Sequence, residues 1–267
     1  MPKLRELILQ LAVRGQLVPR EQGKIHHPPS FCKAELRRAS EESAGCEGSK
    51  EGARTEGPYE LPEGWRWTTL AQAGKVNPRN EAADDLEVGF APMAVISDRY
   101  GVAPKYEHRF WRDVKKGFTH FAEGDVGVAK ITPCFENGKS AVFRNVPGGI
   151  GAGTTELHVF RPNRETVIPD YVWVFLKSPD FRTGGEAVMT GSAGQKRVPS
   201  DYFAKTPFPL PPLAEQKRIV IKVNELMALC DTLEAKLAQS RADADTLAAA
   251  VVHHLCSAGA RPKEATT

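Results

Sequence analysis

From Leu213 to Leu255 the chain contains neither proline nor glycine. Both residues break or weaken helices, so a run this long reads as one continuous helix. Inside it Ile219, Val223, Leu226, Cys230, Leu233 and Leu237 are spaced 4, 3, 4, 3, 4. That alternation holds one apolar seam in register against a partner helix. The register continues more weakly through Ser240, Ala244, Leu247, Val251 and His254. At about 1.5 Å per residue the helix is roughly 60 Å long, and its stripe needs a cover. Two covers are open: a helix near the N-terminus, or another chain. At the N-terminus Leu4, Leu7, Ile8, Leu11 and Ala12 fall at helical spacing, Gly15 stops the pattern and Pro19 follows. With fewer than about 15 residues, this helix is marginal alone and needs something to pack on.

Between these two helices the composition changes twice. Residues 20–58 are polar and rich in Glu, Gly, Ser and Arg, with Ile25, Phe31 and Leu36 as the only large apolar residues. Such a stretch buries too little to offset chain entropy, so it is expected to be a flexible linker, with at most a transient helix over Ala34–Ser43. Residues 59–210 hold all four tryptophans and most of the glycine punctuation. Gly124–Lys130, Lys139–Val146 and Glu156–Arg161 read as strands bounded by turns. Pro169–Lys177 reads as a short helix with Tyr171, Val174 and Phe175 on one side. The expected fold is therefore mixed α+β. It has an N-terminal helix over 1–19, a globular domain over 59–210, a long antiparallel coiled-coil-forming helix over 211–257 and a disordered tail over 258–267.

Charge and cysteine usage exclude several classes. Lysine plus arginine is 36 and aspartate plus glutamate 33, a net charge of +3. That disfavours a blanket polyanion binder and leaves room for a protein that reads one nucleic-acid site with a few cations. The five cysteines (Cys32, Cys46, Cys134, Cys230 and Cys256) are widely spaced, with no C-x-x-C pair. This argues against a zinc site or a disulfide framework and suits a reducing cytoplasm. No apolar run reaches membrane-spanning length, and the first ten residues lack an apolar core of the signal-peptide kind.

Motifs for catalysis are sparse. Gly148–Gly153 is glycine-rich but departs from the dinucleotide fingerprint, and a mobile loop or hairpin is the expectation. No P-loop, H-E-x-x-H or G-x-S-x-G motif occurs. His26-His27 and His253-His254 are adjacent pairs, whose side chains diverge on a helix, and are read as solvated. Asp125 and Glu136 bracket Lys130 and Lys139 without a defensible metal spacing and are read as surface charge pairs.

One loop offers binding chemistry. Met189–Pro199 contains two glycines and a proline and presents Ser192, Gln195, Lys196 and Arg197. Gln can pair with adenine in two places, Arg with guanine in two places, and Lys neutralises phosphate. An ordinary solvated loop is the competing reading. A second candidate group is Lys130, Thr132, Asn137 and Lys139, around Pro133. Its lysines suit phosphate, while Asn137-Gly138 also suits a plain hairpin corner.

The segments Leu61–Trp67, Gly124–Lys139, Thr154–Val159, Gly191–Val198 and Pro211–Val220, in that order, resemble the DNA specificity subunit of type I restriction–modification systems. The resemblance runs from about Leu61 to the end of the long helix. Leu4–Pro19 is similar to the tail of the family's spacer helix. A usual member carries two target-recognition domains and this chain carries one, so it resembles a half-subunit. The resemblance implies a non-catalytic subunit that reads part of a split target in double-stranded DNA. It implies docking of modification (methyltransferase) and restriction subunits. S-adenosylmethionine, ATP and magnesium are then expected in those partners and no cofactor in this chain. A second copy of the chain, or another half-subunit, would complete the target. The alternative is an assembly module, a silent cassette or dominant-negative partial subunit, that binds the modification subunit through its helix without reading DNA. A chain that is itself a nuclease or methyltransferase has no motif in its favour.

Overall fold

The structure, a computed structural model, describes residues 2–19, 57–192 and 194–259, with side chains in the long helix described as far as Leu255. Nearly all of the expected linker, with His26-His27, nearly all of the expected tail and Ala193 lie outside the described residues.

The N-terminal periodicity forms α1 (Pro2–Val13), which buries Ile8, Leu9, Ala12 and Val13. Ten short strands follow: β1 (Arg66–Thr69), β2 (Gly74–Val76), β3 (Glu87–Ala91), β4 (Glu107–Phe110), β5 (Thr119–Ala122), β6 (Val126–Ala129), β7 (Ser140–Val142), β8 (Ile150–Gly153), β9 (Leu157–Pro162) and β10 (Pro207–Leu210). The larger helices are α2 (Pro169–Lys177), α3 (Pro179–Ala187), α4 (Ser200–Lys205) and α5 (Leu213–Gly259).

β1 and β10 pair antiparallel, with Arg66 opposite Leu210, which closes the two ends of the head against each other. One four-stranded sheet has the order β2-β9-β6-β7, all antiparallel. Three of its strands are the ones legible in the sequence. The other sheet has the order β4-β3-β8-β5, with β3 and β8 parallel.

Three expectations need correction here. The glycine run is neither a mobile loop nor a hairpin: Pro147–Gly149 is a tight turn with Gly148 at φ +67°, and Ile150–Gly153 is an inner strand. The reason is space. A Cβ on Gly151 would meet the Gly89 carbonyl oxygen at 2.3 Å and the Phe121 ring at 2.5 Å. Glycine lets the strands and the ring close on each other. Asp125 is not a surface charge. It is 1% exposed and accepts from Ala122 N at 2.7 Å and from Arg161 Nε and Nη2 at 2.9 and 2.8 Å. Lastly, α2 is buried all round from Tyr171 to Lys177, not on one face. It lies under α1 and α5 on one side and the β6–β7 sheet on the other. Its polar ends are tied off, as such burial requires: Tyr171 Oη donates to Pro209 O at 2.9 Å and Trp173 Nε1 to Ser140 O at 3.0 Å.

The long helix leaves the head at Pro212 and is anchored there by Gln216, which is fully buried. Its amide donates to Thr166 O and Pro211 O, each at 2.9 Å, and accepts from Ile168 N at 2.9 Å. Beyond it Ile219, Val223, Met227 and Cys230 are buried. Arg5, near the start of α1, pairs with Asp231 and Glu234 at 2.8 Å each, while Arg14, just past its end, pairs with Asp180 of the head at 3.1 Å. So α1 runs toward the head while α5 runs away from it, an antiparallel pair. Of the expected seam, Ile219, Val223 and Cys230 are covered and Leu226 is half-buried, whereas Leu233 and Leu237 are 37% and 49% exposed. Met227 takes the place beside Leu226. The cover stops where α1 stops, because twelve residues span only about 18 Å of a helix some 70 Å long.

Candidate nucleic-acid interface

The loop read from the sequence is built as a pinned turn. Arg197 N donates to Thr190 O at 2.8 Å and Thr190 N to Arg197 O at 3.1 Å, closing its two arms. Gly191 has φ +129°, and a Cβ there would sit 2.8 Å from Gln195 O. Only glycine takes that corner without strain. The returning arm then runs along the chain that leaves β6. Thr132 N donates to Lys196 O at 3.0 Å, Lys196 N to Thr132 Oγ1 at 3.2 Å, and Val198 N to Lys130 O at 2.8 Å. Two candidate groups, joined by contacts 64 residues apart in sequence or more, are thus stitched together at Lys130 and Thr132.

Ser192, Gln195 and Lys196 are exposed, and Lys130 and Thr132 half-buried at their side. This surface offers two hydroxyls, an amide and two ammonium groups within one patch, the inventory that meets base edges and phosphate. Arg197 differs from expectation. Its guanidinium is not a free fork: Nε and Nη2 donate to the two carboxylate oxygens of Glu156, each at 2.9 Å, and Nη1 to Gln195 O at 3.1 Å. Glu156 just precedes β9, inside the Thr154–Val159 segment. Charge opposite charge across 41 positions leaves no local signal.

Asn137 and Lys139 do not join this patch. Asn137 lines the depression between α1 and the head, with Arg5, Glu6, Lys177 and Arg182. Lys139 lies against the 94–105 segment, its Nζ 3.4 Å from Met93 O. Both are drawn off by the turn at 135–139, where Gly138 N donates to Phe135 O at 2.7 Å.

Beneath the loop lies a polar support that sequence reading missed. His158, 4% exposed, is stacked on Phe203 with ring centroids 5.0 Å apart. Its Nε2 is 3.0 Å from Val198 O, and its Nδ1 is 3.5 Å from the Asn77 amide nitrogen. A carbonyl only accepts, so Nε2 carries the proton and Nδ1 accepts from Asn77. Burial pushes the His158 pKa down, which favours this neutral form. Asn77 also accepts from Val159 N at 3.0 Å and donates to Ser200 Oγ at 3.3 Å, so the returning arm of the loop and the start of α4 rest on one network. Among the described residues no cluster of His, Cys, Asp and Glu is arranged to hold a metal ion.

Residues 62–240, which include this loop, its support and the covered part of the seam, match the type I restriction modification DNA specificity domain. The chain belongs to this family. The chain is similar to the specificity subunits of the type I restriction enzymes EcoAI and EcoEI of Escherichia coli. It is 48% identical to each over 244 residues, which is 87% of this chain and 40% of each relative. Among solved structures it is similar to the HsdS subunit of Thermoanaerobacter tengcongensis. There the TM-score is 0.59 and the identity 26%, over 72% of this chain and 49% of that one. The chain therefore spans less than half the length of these specificity subunits. The family match places a mixed α+β head and a long helix in a known setting.

Proposed function

We propose that the chain acts as a sequence-reading unit for double-stranded DNA and performs no bond-breaking of its own. The observation that carries this reading is the patch where the pinned 190–197 turn meets Lys130 and Thr132. It presents hydrogen-bonding side chains on a backbone that is rigid from both sides, as base reading requires. Lys130 and Lys196 serve phosphate and set the register, while Ser192, Gln195 and Thr132 face base edges. Asn137, in the depression between α1 and the head, and Lys139, against the 94–105 segment, lie away from that patch and outside this reading.

The relatives are subunits of type I restriction enzymes, so the partners of this unit are modification and restriction subunits. S-adenosylmethionine, ATP and magnesium are then handled by those partners in the cytoplasm. No described helix is long and apolar enough to cross a membrane. The exposed stripe Leu229, Leu233, Leu237, Leu247, Val251 and Leu255 on α5, with Leu4 and Leu7 on α1, seats further helices. These come from a second copy or from another half-subunit, and the second head they bring completes a split target. The rod between the heads fixes the spacing of the two half-sites.

The experiment is methylation mapping in cells that express the chain with its modification subunit. A defined new adenine motif is the expected result. Assembly with the modification subunit but no such motif would instead mark the inert assembly module.

A further inference from the structure

The pair formed by Glu156 and Arg197 has a geometry that a plain surface ion pair does not need. Arg197 is held at its backbone by Thr190, and its chain neighbours Lys196 and Val198 are held by Thr132 and Lys130. Glu156 is equally fixed: its N–H donates to Thr154 Oγ1 at 3.2 Å and its carbonyl accepts from Lys130 N at 2.9 Å. Two rigid supports therefore meet through a bidentate bond, at the edge of the reading patch. A guanidinium carries five N–H groups. Glu156 takes the one on Nε and one on Nη2, and Gln195 O takes one on Nη1. One N–H on each Nη remains, and the side chain is 43% exposed against 24% for Glu156. The carboxylate is thus the inner member and the guanidinium the outer one.

We infer that Glu156 is a positioning residue that holds Arg197 as a preset two-point donor, so that Arg197 reads a guanine at one position of the target. Two N–H groups on nitrogens that share one carbon match the O6 and N7 acceptors of guanine. A free arginine on a loop loses side-chain entropy on binding, and one already fixed by a carboxylate loses little. The negative charge serves a second purpose. It cancels the long-range pull of Arg197 on phosphate, so that arginine contributes to choice of base more than to general affinity. The Arg197 bond holds the Glu156 carboxyl below the ordinary range, so the charge persists at neutral pH. This inference rests on the DNA-reading proposal and specifies one residue pair within it.

The test uses the full chain and a randomised pool of duplexes, with selected sequences counted position by position. Wild type is expected to prefer guanine at one position. Glu156→Gln keeps the side-chain shape and removes the charge. It is expected to lose about tenfold or more of that preference while overall duplex affinity stays equal or rises. Arg197→Lys keeps the charge, lacks the fork, and is expected to lose the same preference. The double variant should lose no more than Arg197→Lys alone. Thermal melting of each variant checks that the head remains folded. Undiminished or sharper guanine preference in Glu156→Gln would overturn the inference, since the carboxylate would then be a mask or a bystander. In that outcome the DNA-reading proposal still stands. A wild-type chain that selects no sequence overturns the proposal, and the inference with it.

Discussion

At the scale of single residues, the buried charges decide most. Asp125 is nearly inaccessible and Arg161 about one-third exposed. Replacing Asp125 by Ala leaves the Ala122 amide without its acceptor and a partly buried guanidinium with Asn80 Oδ1 but no counter-charge. The expected cost is about 3 kcal/mol, checked by chemical denaturation of the full chain. A second prediction concerns pH. His120 and His158 both have pKa values lowered mainly by burial. The unfolded chain therefore takes up protons first, near pH 6.5. Stability should fall as pH drops through that value and level off once the lower folded-state pKa values are passed. Melts between pH 8 and 5 would show this, and His158→Gln, which keeps a donor toward Val198 O, should flatten the slope. None of this was legible in the sequence. A carboxylate between turns looks the same whether it faces water or Arg161. Loop chemistry, by contrast, was legible at Ser192, Gln195 and Lys196, because glycines and a proline mark a turn and turns are exposed. Arg197 was legible as a cation on that loop, but its Glu156 partner was not.

At the scale of elements, periodicity predicted the long helix and the N-terminal helix, since each follows from local spacing, and left open whether that helix or another chain covers the seam. Spacing also left open how far the cover extends. Val223 and Leu237 belong to the same seam in sequence, yet the first is fully buried and the second half exposed. Val223→Asp should place an unpaired charge under α1 and α2 and cost more than about 3 kcal/mol, unfolding the head–helix junction. Leu237→Asp should lower the melting midpoint of the isolated chain far less, because about half of that side chain already faces solvent. If the distal seam pairs with a second copy, light scattering should show wild type as a dimer and Leu237→Asp as a monomer. Equal masses for the two would shift the partner to another half-subunit. The glycine run illustrates the opposite error at this scale. Glycine spacing suggested a loop, while β8 uses it to let Gly89 and Phe121 approach. Close approach between strands far apart in sequence is a tertiary fact with no local signature.

At the scale of the whole molecule, a net charge of +3 on 267 residues limits how the protein can hold DNA. A binder that works by charge alone neutralises many phosphates and loses affinity steeply with salt, with a slope near −0.9 per phosphate contact. Here the reading patch brings two lysines, Lys130 and Lys196, and Arg197 is already balanced by Glu156. The logarithm of affinity against the logarithm of salt should then fall with a slope of about −2 per head, and about −4 for a two-headed assembly. Fluorescence titrations of a cognate duplex from low to moderate salt would give the slope. Lys196→Gln should make it shallower by about one without changing which bases are preferred. Glu156→Gln should make it steeper, since it unmasks a cation. Opposite shifts from these two variants would show that position along the backbone and choice of base are carried by different side chains of the same small patch. That division lets a nearly neutral head on a rigid rod be selective while holding DNA only loosely elsewhere.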